Sequence, residues 1–311
     1  MNVVASSSRT NARCNQLGTQ SINQLPDYPI TRLPDSRLAA AIGRKARLEL
    51  VFEARHGRTI LAHSYAEAPF RIGAAFDLGG AAYVIIACSG PGIFGGDMLQ
   101  QSIHVGNGAR VVLTSQAALQ VHPSATPLAA VICHEYSVAH QAELHCEWDP
   151  VIPFADARLQ QRIDLQIAGT SRLYWSDAVM AGRVSRGELW RFQSLAHELR
   201  LRVAGALAYL ERYNLTPADR SVEHPWIAGD ARYLATALVH HPDATAEAAE
   251  TLQRDVAGLP GIHGGADLIA RRLIAARLTA ANGAPFSRAR ASYRTRALES
   301  IFRAPELAAR K

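Results

Sequence analysis

Apolar and polar residues alternate along much of this chain. Leu48, Leu50 and Phe52 alternate with Arg47, Glu49 and Val51, His56-Gly57 turns the chain, and Thr59–Tyr65 runs back. Period two predicts strands here and at 81–88, 99–105, 109–115, 128–138 and 142–148. The clearest alternation is Ala157–Ile167, where Leu159, Ile163, Leu165 and Ile167 face one way and Arg158, Gln160, Arg162, Asp164 and Gln166 the other. Leu199, Leu201 and Val203 alternate with Arg200 and Arg202 in Glu198–Val203. Many short strands separated by turns predict a sandwich, barrel or stacked-sheet protein and argue against βαβ units. Near residue 230 the pattern shifts, and Arg232–His240, Ala244–Val256 and Ala266–Ala280 read as helices, with Asp243 as an N-cap and Gly258 as a stop. The expected organisation is a leader over 1–43, a β-rich core over 44–230, a helical part over 231–285 and a basic tail over 286–311.

Composition changes this picture little. The chain has 311 residues, 48% hydrophobic and 19% charged, which describes a globular protein able to bury a full core. The formal charge is +6, and only Lys45 and Lys311 among the basic residues are lysines. Arginine suits bidentate contact with carboxylates and phosphates, so an arginine-driven nucleic-acid binder is one alternative, suggested by the 271–310 segment. No aromatic–basic interleaving accompanies it. The N-terminus lacks the pattern of a signal peptide. The uncharged run Leu78–Gly96 carries six glycines and Pro91, which argues against a spanning helix. Four cysteines without a C-x-x-C pair indicate neither a zinc knuckle nor a disulfide scaffold, and the expected location is cytoplasmic with reduced thiols.

Candidate chemistry centres on two stretches. In "GPGIFGGDML", residues 90–99, Gly90, Gly92 and Gly95 match G-x-G-x-x-G, which raises a second alternative, a nucleotide-binding enzyme. That cradle needs a following helix and an acidic residue about 20 positions on. Instead Met98–Val105 alternates like a strand, and the next carboxylate after Asp97 is Glu135. In "CHEYSVAHQAELHCEWD", residues 133–149, metal-competent side chains are dense, but strand neighbours point to opposite faces. A closed site there would need residues such as His134 and His145 to meet across a hairpin. No serine-nucleophile, H-E-x-x-H or Walker pattern is present. Carboxylates in glycine-rich or apolar surroundings stand out instead: Asp97, Asp177, Glu188 and Glu211. For each the plainer reading is a structural ion pair, for instance Arg183 with Glu188.

The order of motifs then becomes recognisable. Gly-Gly-Asp at 95–97 is followed by "GARVVLTSQAA" at 108–118, "AELHCEWDPVIPFADARL" at 142–159, "SRLYWSDAVMAGRVSRGELWRF" at 171–192, "LAYLERYNL" at 207–215 and "HPWIAG" at 224–229. This succession resembles the urease accessory protein UreD family, called UreH in some organisms, from about residue 45 to 280. Two departures stand out. A His-Pro-Pro-Gly-Gly type stretch is usual before Gly-Gly-Asp, where this chain has Cys88–Phe94. Thr-Thr-Pro with a downstream lysine is usual where this chain has Thr114-Ser115-Gln116 with Gln120 and His122. The resemblance implies a mainly β fold, with stacked sheets in a β-helix-like wrap and a smaller helical C-terminal part. It implies a non-catalytic scaffold that binds apo-urease, UreF and the GTPase UreG, with no tightly bound cofactor and with Ni²⁺ in transit through an internal polar tunnel. Asp97, Asp177 and Glu211 fall at acidic positions tied to that route, and Glu188 is a weaker candidate. Such a scaffold exposes apolar partner surfaces, which implies self-association when it is alone.

Overall fold

The computed structural model describes residues 43–123 and 126–308. Two sheets face each other. The seven-stranded sheet has β15 (Ala206–Leu215) at one edge and β2 (Arg58–Ala66) at the other, in the order β15, β14, β12, β9, β6, β1, β2, and the eleven-stranded sheet is built on β17 (Ile262–Ala270), β18 (Leu273–Ala280), β16 (Tyr233–His240), β13, β10, β7, β5 and β3 (Phe70–Ile72). The chain alternates between them: β5 (Ala81–Cys88), β7 (Arg110–Ser115), β10 (Glu143–Glu147) and β13 (Arg172–Met180) lie in the larger sheet. The smaller sheet takes β1 (Lys45–Arg55), β6 (Met98–Val105), β9 (Ala130–Val138), β12 (Arg158–Ile167) and β14 (Ser194–Val203). Neighbours within each of these sets are parallel.

One bond repeats at every arch. The amides of Gly106, Ala139, Ala168 and Ala204 each donate to the last residue of the preceding rung that pairs in parallel, Phe52, Val105, Val138 and Ile167, at 2.9 Å. Those bonds satisfy backbone groups at the corners and hold successive rungs level. The result is the expected β-helix-like wrap.

Inward positions supply the main core. Leu48, Leu50 and Phe52 of β1, Leu99 and Ile103 of β6, Leu159 and Ile163 of β12 and Leu195 and Leu199 of β14 pack against Val84, Leu113, Trp175 and Leu238 of the other sheet. A second core lies on the outer face of the larger sheet, under helices α1 (Ala246–Ala257) and α2 (Gly283–Ala297).

Two expected helices are strands. Arg232–His240 is mostly β16 (Tyr233–His240), and Ala266–Ala280 is divided between β17 (Ile262–Ala270) and β18 (Leu273–Ala280). β16 pairs with β13 and β18 and is buried along nearly its whole length, so it reads as a continuous apolar run without a period. In the β17–β18 pair, helix-compatible alanines and leucines yield to tertiary pairing. The third expected helix is α1, capped by Thr245, whose hydroxyl accepts the Ala248 amide at 3.2 Å, and not by Asp243; Gly258 ends it. The arginine-rich C-terminus is no free tail up to residue 308. α2 buries Phe286 and Tyr293 together with Arg290 and Arg294, and a single π-turn, Leu298–Phe302, continues it. The sequence pattern does not reveal strands β13 and β15 or the short β3, β4 (Phe76–Leu78), β8 (Leu119–Val121) and β11 (Val151–Pro153). Cys88 and Cys146 are free thiols. Among the described residues no helix is long and apolar enough to cross a membrane.

Candidate functional site

The wrap stacks certain side chains into rows. Along the inward face of the smaller sheet, each of four strands replaces one apolar residue with a polar one. Gln101 lies between Leu99 and Ile103, His134 between Ile132 and Tyr136, Gln161 between Leu159 and Ile163, and His197 between Leu195 and Leu199. Register brings Gln101 opposite His134, and Gln161 opposite His197. β15 extends the row with Tyr213, opposite His197, and Glu211, opposite Leu199. Across the gap, Asp177 of β13, Thr236 of β16 and Arg277 of β18 are also level with one another. Between β9 and β12 the row steps by two residues, since His134 is level with Ile163 and Gln161 with Ile132. A stepped polar row on one sheet thus faces a level one on the other.

Hydrogen bonds satisfy most of this row. Gln101 donates to the Tyr136 hydroxyl at 2.5 Å, and Gln161 Oε1 lies 3.1 Å from His197 Nδ1, whose ring stacks on Tyr213 at 4.8 Å. Glu211 Oε2 accepts from the Tyr209 and Thr236 hydroxyls, each at 2.8 Å, and Oε1 lies 3.4 Å from Arg277. His134 differs. Its side chain is half-buried and its inaccessible Nδ1 has no hydrogen-bond partner. Burial pushes the His134 imidazole down to about 4, and His197 likewise, so both are neutral near pH 7. A cavity of about 80 Å³ opens between the rows, lined by Gln101, Ser115, His134, Asp149, Gln161, Asp177 and Cys88 among apolar neighbours. It has room for a few water molecules. Burial pushes the Cys88 thiol up, which keeps it protonated.

The four candidate carboxylates take different places. Asp177 and Glu211 come together: burial first, then the Glu211 charge, pushes the Asp177 carboxyl up to about 7, opposed by Arg290. Asp97 is half-buried at the start of β6, where its two oxygens accept the Arg44 amide at 2.7 Å and the Phe94 amide at 2.9 Å. It lies near Cys88, whose thiol feels both its charge and that of Arg44. Glu188 forms a fork with Arg183, with Nε–Oε2 at 2.7 Å and a second bond from Nη2 to Oε1, and it also accepts the Ala155 amide at 3.1 Å. Arg183 lies over Phe154 at 4.0 Å and holds the Glu188 carboxyl below its usual range. Asp97 and Glu188 therefore spend their oxygens on backbone amides and an ion pair.

The dense histidine and cysteine stretch does not close on itself. His134 faces the inter-sheet core, whereas His145 lies on the outer face of the larger sheet, 2.7 Å from Glu143 and edge-on to Phe302 at 4.7 Å. Among the described residues no three His, Cys, Asp or Glu side chains are grouped to hold a metal.

The glycine loop is no phosphate cradle. β6 follows it where a cradle needs a helix N-terminus. Gly92 (φ +129°) runs so close to the next loop that an added Cβ would stand 2.2 Å from the Gln120 carbonyl oxygen, and Ile93 bridges to Val121 there. The nucleic-acid alternative loses part of its arginine set. Arg290 and Arg294 are buried, and Arg277, Arg296 and Arg303 pair with Glu211, Asp255 and Asp243.

Sequence reasoning missed Gln101, Gln161, His197, Thr236 and Arg277. The available signal was a break in inward phase, most visible at Gln161, the polar residue in an otherwise apolar series of Leu159, Ile163 and Leu165.

Comparison with known proteins agrees with the order of motifs. The family model "UreD urease accessory protein" matches residues 44–310. A urease accessory protein UreD of Sorangium cellulosum is 35% identical over 226 residues, covering 73% of this chain and 71% of the relative. A UreD of Trichodesmium erythraeum is 29% identical, covering 61% and 71%, and a UreD 2 of Streptomyces griseus is 27% identical, covering 76% and 83%. With its two-sheet wrap, its order of motifs and a match over nearly all described residues, the chain belongs to the UreD urease accessory protein family.

Proposed function

We propose that this chain is a non-catalytic urease maturation factor that binds apo-urease and the accessory proteins UreF and UreG and passes Ni²⁺ toward the urease active site through the space between its two sheets. The observation that carries this reading is the pair of facing polar rows, one level and one stepped, with Asp177 and Glu211 brought together in a largely apolar core. Polar groups in an apolar interior are costly, and a row of them running across five strands is not needed to build two packed sheets. A passage gives it a use. Ni²⁺ stands high in divalent affinity, so a closed histidine–cysteine site would retain it, whereas spaced carboxylates and amides admit and release it.

Asp177 and Glu211 supply the negative charge of the route. Asp97, near Cys88, holds the loop at that end of the cavity, and Glu188 serves the route least because Arg183 occupies it. Exposed Phe76, Leu207, Leu210 and Trp226 offer apolar surface for partner proteins.

Co-expression of urease with and without this chain, alongside UreF and UreG, tests the assignment. Urease purified with the chain present carries nickel and co-purifies with it before activation. Urease that loads nickel equally well without the chain contradicts the proposal.

A further inference from the structure

The smaller sheet ends at β15, and no described strand pairs with the outer edge of that strand. β14 takes its other side, and among the described residues no backbone bond from a turn or loop reaches Ala206–Leu215. Ten residues make a long open edge, and unpaired amides and carbonyls along it are a template for another chain. The remaining edges offer less. β3 and β4 have three residues each, β17 carries Gly264-Gly265, and β2 has Arg58 as its only formal charge. β15 instead presents Leu207 and Leu210, which are 51% and 44% exposed. Register puts them on the outer face of the sheet, opposite Arg202 and Arg200. Helices α1 and α2 both pack on the other sheet and leave this face alone.

The face beside that edge is basic. Outward positions of β12, β14 and β15 hold Arg158, Arg162, Arg200, Arg202 and Arg212 against only Asp164 and Glu198. Glu198 is shared, with Arg200 and Arg212 each 2.6 Å away and Arg162 at 4.0 Å. Asp164 pairs with Arg162 at 2.6 Å, and among the described residues no carboxylate pairs with Arg202. A second copy of the chain would bring the same positive excess to the edge. Residues 1–42, with four arginines and two aspartates, would not offset it either. Charge therefore favours an acidic partner over both.

We propose that the open edge of β15 receives an extended acidic segment of a partner protein as an added strand of the smaller sheet. The segment's backbone pairs along Ala206–Leu215, its carboxylates meet Arg202 and Arg212, and its apolar side chains cover Leu207 and Leu210. Main-chain bonds supply affinity in such an addition, and the arginines select the charge. This deepens the reading of Leu207 and Leu210 as partner surface and does not depend on a passage between the sheets.

The test uses the purified full chain and two synthetic peptides long enough to span β15, one alternating glutamate with valine and one alternating glutamate with proline. Their charges are equal, but proline has no amide to donate, so only the valine peptide extends the sheet. Binding is read by fluorescence anisotropy and by amide hydrogen exchange. The valine peptide slows exchange across 206–215 and leaves exchange in β2 unchanged. The proline peptide binds at least about tenfold more weakly. Arg202→Glu weakens the valine peptide by at least about tenfold, and Arg58→Glu on β2 by less than about twofold. Arg202→Gln replaces the glutamate variant if that one does not fold. Equal affinity for the two peptides, unchanged exchange in β15 or indifference to Arg202→Glu each overturn the proposal. So does a free chain that dimerises through β15, or a single-stranded oligonucleotide that binds there more tightly than the valine peptide. Failure of the passage is separable. Normal nickel loading of urease by Asp177→Asn and Glu211→Gln sinks the route and leaves strand addition standing, and a chain that binds neither peptide does the reverse.

Discussion

Asp177 is buried, and its carboxyl is raised to about 7 by that burial and by Glu211. An unfolded aspartate titrates near about 3.9. The folded value is therefore the higher one, so this group's contribution to stability is fully present below pH 4 and is lost as pH rises through 7. Asp177→Asn removes that loss. In urea melts the variant should exceed wild type by roughly 1–4 kcal/mol at pH 8 and match it near pH 4. A variant less stable than wild type at pH 8 would refute this. Gain of stability at a residue proposed for function is the expected signature of a group retained for transport. Gly92 shows the opposite sensitivity. Its positive φ and the 2.2 Å approach to Gln120 predict that Gly92→Ala costs about 2 kcal/mol or more, read as a lowered melting temperature. Asp177 and Glu211 were legible through their motifs. His134 was legible only as a member of a dense stretch, because the sequence does not say which strand positions end up level. Register, set by the stacked arches, decides that.

At the scale of elements, alternation located the wrap well where one face is apolar and the other polar, as in β1 and β12. It failed for β16, which is buried on both faces, and for the β17–β18 pair, where alanine-rich strands look helical. The C-terminal segment misled for a related reason. Its arginines suggest solvent, yet Arg290 donates to the Trp148 carbonyl at 2.8 Å and to the Ser176 hydroxyl at 3.0 Å, and Arg294 donates to the Leu307 carbonyl at 2.9 Å and pairs with Glu147. These buried arginines tie α2 to the larger sheet by polar contacts that periodicity does not record. Arg290→Ala should cost about 2–4 kcal/mol and raise amide exchange across 283–302 ahead of the β rungs. Exchange unchanged in that segment would show that apolar packing alone holds the helix. Glu143 makes a comparable tie beneath Phe302. His145 and the arginines Arg110 and Arg172 outweigh burial and bring its carboxyl down to about 2. That stabilisation is present above about pH 4.5 and lost as pH falls toward 2, so Glu143→Gln should flatten the acid limb of the stability profile.

On the scale of the whole molecule, the wrap does two things at once. Level rungs build a broad two-sheet core, and the same stacking gathers one polar residue per strand into a row that steps by two residues between β9 and β12. Family membership says which cellular process the chain serves; the rows are what the proposed route rests on. The most direct test is the nickel content of urease matured in cells with Asp177→Asn/Glu211→Gln, compared with wild type, after confirming that the variant still co-purifies with urease and its accessory proteins. The account predicts an intact complex and urease whose nickel content falls several-fold. A full nickel complement in urease matured with that variant would contradict it.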